Sequence, residues 1–139
     1  MSRRLAREKA LQVLYQAEMA QTELETAVEQ SPTFLKLKKD SREFFELIAF
    51  GVWAERELID TYIQKYVSRW KLERLSPVDR NILRLSIFEM LRLPDVPKEV
   101  AIDEAVELAK KYSSEKAAGF VNGILDGIRK ELISRPTGE

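Results

Sequence analysis

The stretch from Ser76 to Leu93 constrains the fold more than any other. Ser76-Pro77 reads as an N-cap followed by proline at the first helical position, where the missing N–H costs nothing. PVDRNILRLSIFEMLRL then carries Ile82, Leu83, Leu85, Ile87, Phe88, Met90 and Leu91. On a 3.6-residue period these cover most of the helix circumference. A helix apolar on nearly every side has to be central, packed by several neighbours. The remaining chain can supply them as helices. Ala, Leu, Glu, Lys, Arg, Gln and Met, all strong helix formers, make up more than half of the 139 residues, and Gly and Pro number only 5 each. No stretch alternates apolar and polar residues for long enough to form a strand. The fold class is all-α, in one domain spanning 1–139.

The neighbouring helices follow from apolar spacing and punctuation. A first helix runs from about Arg3 to Ala20, with Ala6, Ala10, Val13, Leu14 and Ala17 inward. Thr22 and Glu25 have capping-box spacing and open a short second helix, which Ser31-Pro32 ends. Residues 33–39 form a basic loop. Asp40 and Glu43 again have capping spacing, at the head of one long helix from about Ser41 to Tyr66. Phe44, Ile48, Val52, Ile59, Tyr62, Ile63 and Tyr66 form its apolar face. Residues 68–75 break the pattern. Past Pro94 and Pro97, a helix through VAIDEAVELAKKY turns Ile102, Ala105, Leu108 and Ala109 inward. Ser113 and Ser114 cap the last helix, in which Gly119, Gly123 and Gly127 recur every four residues. That spacing predicts a close approach by another helix along one face. The tail 134–139 should fray.

Composition removes most chemistries. The chain has no Cys and no His, so thiolate nucleophiles, imidazole triads and the usual transition-metal ligands are absent. No Gly-rich phosphate loop, EF-hand or H-E-x-x-H pattern occurs. Asp103, Glu104 and Glu107 read as a solvated helix face. The chain is therefore expected to be no enzyme and to hold no metal and no cofactor. The basic start MSRRLAREKALQ lacks an apolar region behind it, so no secretory signal and no membrane span are expected, and the location implied is cytoplasmic.

Charge is patterned although it sums to +0. Arg3, Arg4, Arg7 and Lys9 face Glu8 alone within the first 17 residues, whereas residues 18–30 hold four glutamates and no cation. A cationic first turn opposes the helix dipole, which suggests an acidic ligand such as phosphate. On a helical wheel Arg4, Arg7, Glu8, Leu11 and Tyr15 share a sector about 100° wide. Arginines for phosphates and an aromatic ring for a base are what single-stranded RNA binding requires. On position alone, Tyr15 equally fits a half-buried core aromatic, and the basic turn equally fits a solvated terminus.

Three segments together resemble one family. RRLAREKALQVLYQ resembles the Arg-rich first helix of the NusB family of bacterial transcription antitermination factors. LSPVDRNILRLSIFEML resembles its central helix, and VPKEVAIDEAVELAKKYSSEKAAGFVNGILDGI its two C-terminal helices. The resemblance implies a helical bundle of two three-helix sub-bundles, at approximately 1–68 and 76–133. It implies a non-catalytic protein that binds the single-stranded boxA element of ribosomal RNA leaders together with NusE, a small-subunit ribosomal protein, within the transcription elongation complex. Carried over residue by residue, it implies an RNA surface of Arg3, Arg4, Arg7, Tyr15, Asp79, Arg80, Lys116 and Phe120. Lys116 stands where some members carry an acid, and a lysine there should strengthen phosphate contact. For Phe120, core packing remains the competing role. Monomer and homodimer both stay open. Two other functions fit the same residues: a protein–protein scaffold without RNA contact, and an RNA-binding module like that of ribosomal RNA cytosine methyltransferases. The latter is disfavoured because no methyl-donor domain follows before Glu139.

Overall fold

The computed structural model describes residues 3–31, 36–67 and 74–134. Among these residues it has seven α-helices and no strand. They are α1 (Arg3–Ala20), α2 (Leu24–Gln30), α3 (Lys39–Ala54), α4 (Arg56–Gln64), α5 (Pro77–Arg92), α6 (Lys98–Tyr112) and α7 (Glu115–Ser134). Every residue from Asn81 to Met90 is buried, as a central helix requires. Helix α5 packs against α1, α3, α4, α6 and α7. Helix α1 in turn packs on α2 and α3, and α6 lies along α7. Ser76 caps α5, its Oγ accepting from the Asp79 N–H at 3.1 Å, with Pro77 in the first turn. Such a cap contributes about 1 kcal/mol. Ser114 Oγ likewise accepts from the Ala117 N–H at 3.0 Å at the head of α7.

The polar residues of α5 are as informative as its apolar ones. Arg84 donates to both Asp60 carboxylate oxygens at 2.8 Å and to Glu18 Oε1 at 3.1 Å. Asn81 Nδ2 donates to Glu18 Oε1 and to the Pro77 carbonyl. Ser86 Oγ donates to the Ala101 carbonyl at 3.0 Å. Buried polar groups are tolerable only when paired, so these bonds fix which helix lies against which face of α5.

Several local expectations are corrected. The helix expected over 41–66 is two helices, interrupted at Glu55 (φ −111°, ψ 21°). No Pro or Gly marks the break. At the break, Arg92 at the end of α5 grips the Glu55 carboxylate with Nε at 3.0 and 3.1 Å, while α3 and α4 each pack on α5. Thr22 and Asp40 do not cap: the N-cap positions are Glu23 and Lys38, and neither makes a side-chain cap bond. Helix α1 ends instead through Gln21 in the left-handed region (φ 55°), with the Thr22 N–H bonded to the Ala17 carbonyl at 3.1 Å. The glycine spacing marks one close approach, not three. A Cβ on Gly119 or Gly123 would meet nothing within 4 Å, whereas one on Gly127 would lie 2.6 Å from the Tyr66 ring. The breaks expected around Pro32 and over 68–73 lie outside the described residues.

Candidate nucleic-acid interface

Helix α1 is covered on two sides. Its alanine and valine stripe is buried as expected, but so are Arg7 at 4% and Leu11 at 3% exposure, which were expected to line an outward sector. Arg7 is thus no surface cation. Its Nε lies 2.9 Å from Glu89 Oε2 and its Nη2 2.6 Å from Oε1, inside the seam between α1, α5 and α6. Its guanidinium also stacks 5.1 Å from the Phe44 ring centroid. Glu104 closes the seam from α6, with one oxygen 3.6 Å from Arg7 Nη1.

The other cations of the expected set divide by partner. Arg4 is exposed but holds Glu104 in a fork, Nε at 3.1 Å and Nη2 at 2.7 Å. The Arg4 hydrogen bond keeps the Glu104 carboxyl below the usual range, and Glu104 holds the Arg4 guanidinium above its own. Arg3 sits 4.4 Å over the Phe44 ring and 3.5 Å from Asp95. Arg80 is turned inward to Glu18 and to the Leu75 carbonyl, so it too is taken from the surface. Lys116 is exposed with no partner among the described residues. Glu104, read from sequence as part of a solvated face, is an internal counter-ion.

The aromatic members are outward. Tyr15 is 37% exposed and Phe120 41%, so neither is a core residue. Asp79, in the first turn of α5, has a buried Oδ1 with no hydrogen-bond partner among the described residues. Tyr112 at the end of α6 was not foreseen. Its hydroxyl donates to Glu8 Oε1 at 2.8 Å, and Lys111 Nζ reaches the same oxygen at 3.0 Å. Burial would raise the Glu8 carboxyl, but the Tyr112 and Lys111 hydrogen bonds outweigh it and hold it below its ordinary value. These bonds tie the end of α6 to the middle of α1. Three residues later α7 begins, carrying Lys116 and Phe120. The outer edge of α1 therefore adjoins the α6–α7 connection. No group of three or more acidic residues among those described is placed to hold a metal ion.

The chain matches the NusB family over residues 4–130. It belongs to that family. The transcription antitermination protein NusB of Bacillus licheniformis is 44% identical over 132 residues, covering 95% of this chain and 99% of that protein. The protein of the same name from Myxococcus xanthus is 43% identical, covering 94% and 96%. Among solved structures, NusB of T. maritima superposes with a TM-score of 0.86 at 40% identity, covering 94% of this chain and 92% of that one. A NusB chain in a crystal structure of NusB and NusE with double-stranded RNA superposes at 0.80 with 33% identity, covering 93% and 96%. The all-helical NusB-like fold is thus established, and the family is one of transcription antitermination proteins. No helix among the described residues is long and apolar enough to cross a membrane.

Proposed function

We propose that this chain is a non-catalytic, cytoplasmic antitermination factor. It binds single-stranded boxA-type RNA of ribosomal RNA leaders together with NusE and joins the elongation complex. The observation that carries the reading is the likeness, over nearly the whole chain, to a NusB protein solved with NusE and double-stranded RNA. The surface is proposed at the outer edge of α1 and the head of α7. Arg4, Lys116 and Arg3 serve phosphates, Tyr15 and Phe120 serve bases, and Asp79 accepts from a base amino group. Arg7 and Arg80 lie behind this surface and hold α1 in place. The chain is also proposed to divide into sub-bundles near 1–68 and 76–133, with α5 common to their packing.

One observation favours the scaffold reading instead. Arg3, Arg4, Arg7 and Arg80 are each already paired with a carboxylate, so RNA must displace Glu104 to use Arg4 fully. A titration decides between the two. Protein with and without NusE is mixed with boxA-like, scrambled and duplex RNA at several salt concentrations. The expected result is preference for unpaired boxA-like RNA, enhanced by NusE. Arg4→Ala and Lys116→Ala should each weaken binding to all sequences and lower the salt slope by about one. Unchanged slopes in both variants would place the RNA elsewhere, and no binding under any condition would leave the scaffold.

A further inference from the structure

A groove of about 310 Å³ opens where α1, the first turn of α5 and the last turn of α6 meet. Leu11, Gln12, Tyr15, Gln16, Val78 and Tyr112 line it. We infer that this groove is a slot for one unpaired nucleobase, with Gln12 and Gln16 as the residues that discriminate its edge. The inference rests on the RNA-binding reading above and adds residues to it.

Size and chemistry both point to a base. The volume lies at the small end for ligand sites, suited to one planar group and too short for a docked helix. Leu11 and Val78 supply apolar surface, and Tyr15 and Tyr112 supply aromatic surface. Stacking on such rings is available to any base. The two glutamine side chains are exposed. Each offers a paired donor and acceptor, the pattern that a base edge presents in return. Gln16 and the Tyr15 hydroxyl have no hydrogen-bond partner among the described residues, so binding there breaks no existing bond. Tyr112 is already held by Glu8, and Gln12 lies within hydrogen-bonding reach of its hydroxyl. A wall fixed before the ligand arrives lowers the ordering cost of binding.

The RNA-binding reading, on which the slot rests, selects a nucleic acid over other planar ligands. The same α1–α6 seam continues into a second groove of about 180 Å³ lined by Arg4, Glu8, Glu104, Glu107, Leu108 and Lys111, in which Arg4 is paired with Glu104 and Lys111 with Glu8. Arg4 and Gln16 are twelve residues apart on one helix, about 18 Å. A strand laid along that line meets an uncharged aromatic slot at one end, and at the other Arg4 and Lys111, whose carboxylate partners its phosphates must displace. Phosphates and a base need those two environments in turn.

The test is a fluorescence titration of the whole protein with a short unpaired boxA-type RNA, and with copies carrying one abasic site at each position in turn. Gln16→Ala removes an exposed side chain without internal partners, so the fold should survive. It should weaken binding about tenfold at unchanged salt slope. In Gln16→Ala the penalty for an abasic site should shrink at one position, the base that occupies the slot, leaving only the part that comes from stacking. Tyr112→Phe keeps the ring and should keep stacking. If the parent protein binds RNA but Gln12→Ala and Gln16→Ala bind every RNA as the parent does, the slot is refuted while the RNA-binding reading stands. If the parent binds no RNA, both are refuted.

Discussion

Arg7 shows how a residue changes meaning once its neighbours are known. In the sequence it is one of three arginines in a basic turn, indistinguishable in kind from Arg4. In the structure it is 5% exposed at the side chain and its partner Glu89 2%. The pair lies across the seam that joins α1 to α5. Removing one member of a buried pair strands the other charge, at a cost of about 3–5 kcal/mol. Arg7→Ala should therefore lower unfolding free energy by that order in urea titration. The paired change Arg7→Met with Glu89→Leu should recover most of it, since apolar replacement of both partners is often neutral or better. Were Arg7→Ala fully stable and impaired only in RNA affinity, the arginine would be a ligand residue after all. Sequence could not have separated these roles, because Glu89 sits 82 positions away inside a helix read as apolar.

At the scale of elements, strong periodicity and side-chain caps were legible, and tertiary breaks were not. The bounds of α1 and the capped starts of α5 and α7 follow from Ser76, Pro77, Ser114 and the apolar spacing. The Glu55 interruption has no Pro or Gly at its position to announce it, and the N-cap positions fall at Glu23 and Lys38 in place of Thr22 and Asp40, which capping spacing alone does not encode. Tyr15 was legible from the helical wheel and Phe120 from resemblance, but the groove that Tyr15 lines with Tyr112 and Gln16 needed the seam between distant helices. The glycines give a sharp element-level test. Gly119 and Gly123 stand in helix α7 with open space where a Cβ would go. Alanine at either should stabilise by up to about 1 kcal/mol. Gly127→Ala should gain less or lose stability, because Tyr66 donates to the Gly127 carbonyl and lies 3.0 Å from Glu131 Oε1, so its ring cannot step aside freely. Gly51→Ala should destabilise by about 1–3 kcal/mol, because the new methyl would overlap the buried Phe88 ring between α3 and α5. Thermal melts of the four variants check the order. Equal gains at Gly119 and Gly127 would contradict the packing described.

For the molecule as a whole, helix α1 is joined to α5 and α6 through carboxylates, and acid should undo the joint. Burial alone would raise the Glu18 carboxyl, but hydrogen bonds from Asn81 and Arg80 and the charges of Arg84 and Arg80 outweigh it and hold it low. Glu104 is held low chiefly by the Arg4 hydrogen bond, and Glu8 is lowered at the same seam. A carboxyl whose folded value lies below its unfolded one contributes stability that is complete above the unfolded value. That contribution is lost as pH falls through the folded value. For these glutamates the ordinary value is 4.5, so unfolding free energy should receive a constant contribution from them through neutral pH. It should fall below 4.5 as the three titrate, loosening α1 from the rest. Glu18→Gln should be less stable than the parent at pH 7, because it leaves Asp60 as the one carboxylate on Arg84 among the described residues, and should lose less on acidification. Urea titrations of both proteins across that range measure the difference. Parallel curves would mean that Glu18 carries no pH-dependent coupling between α1 and α5.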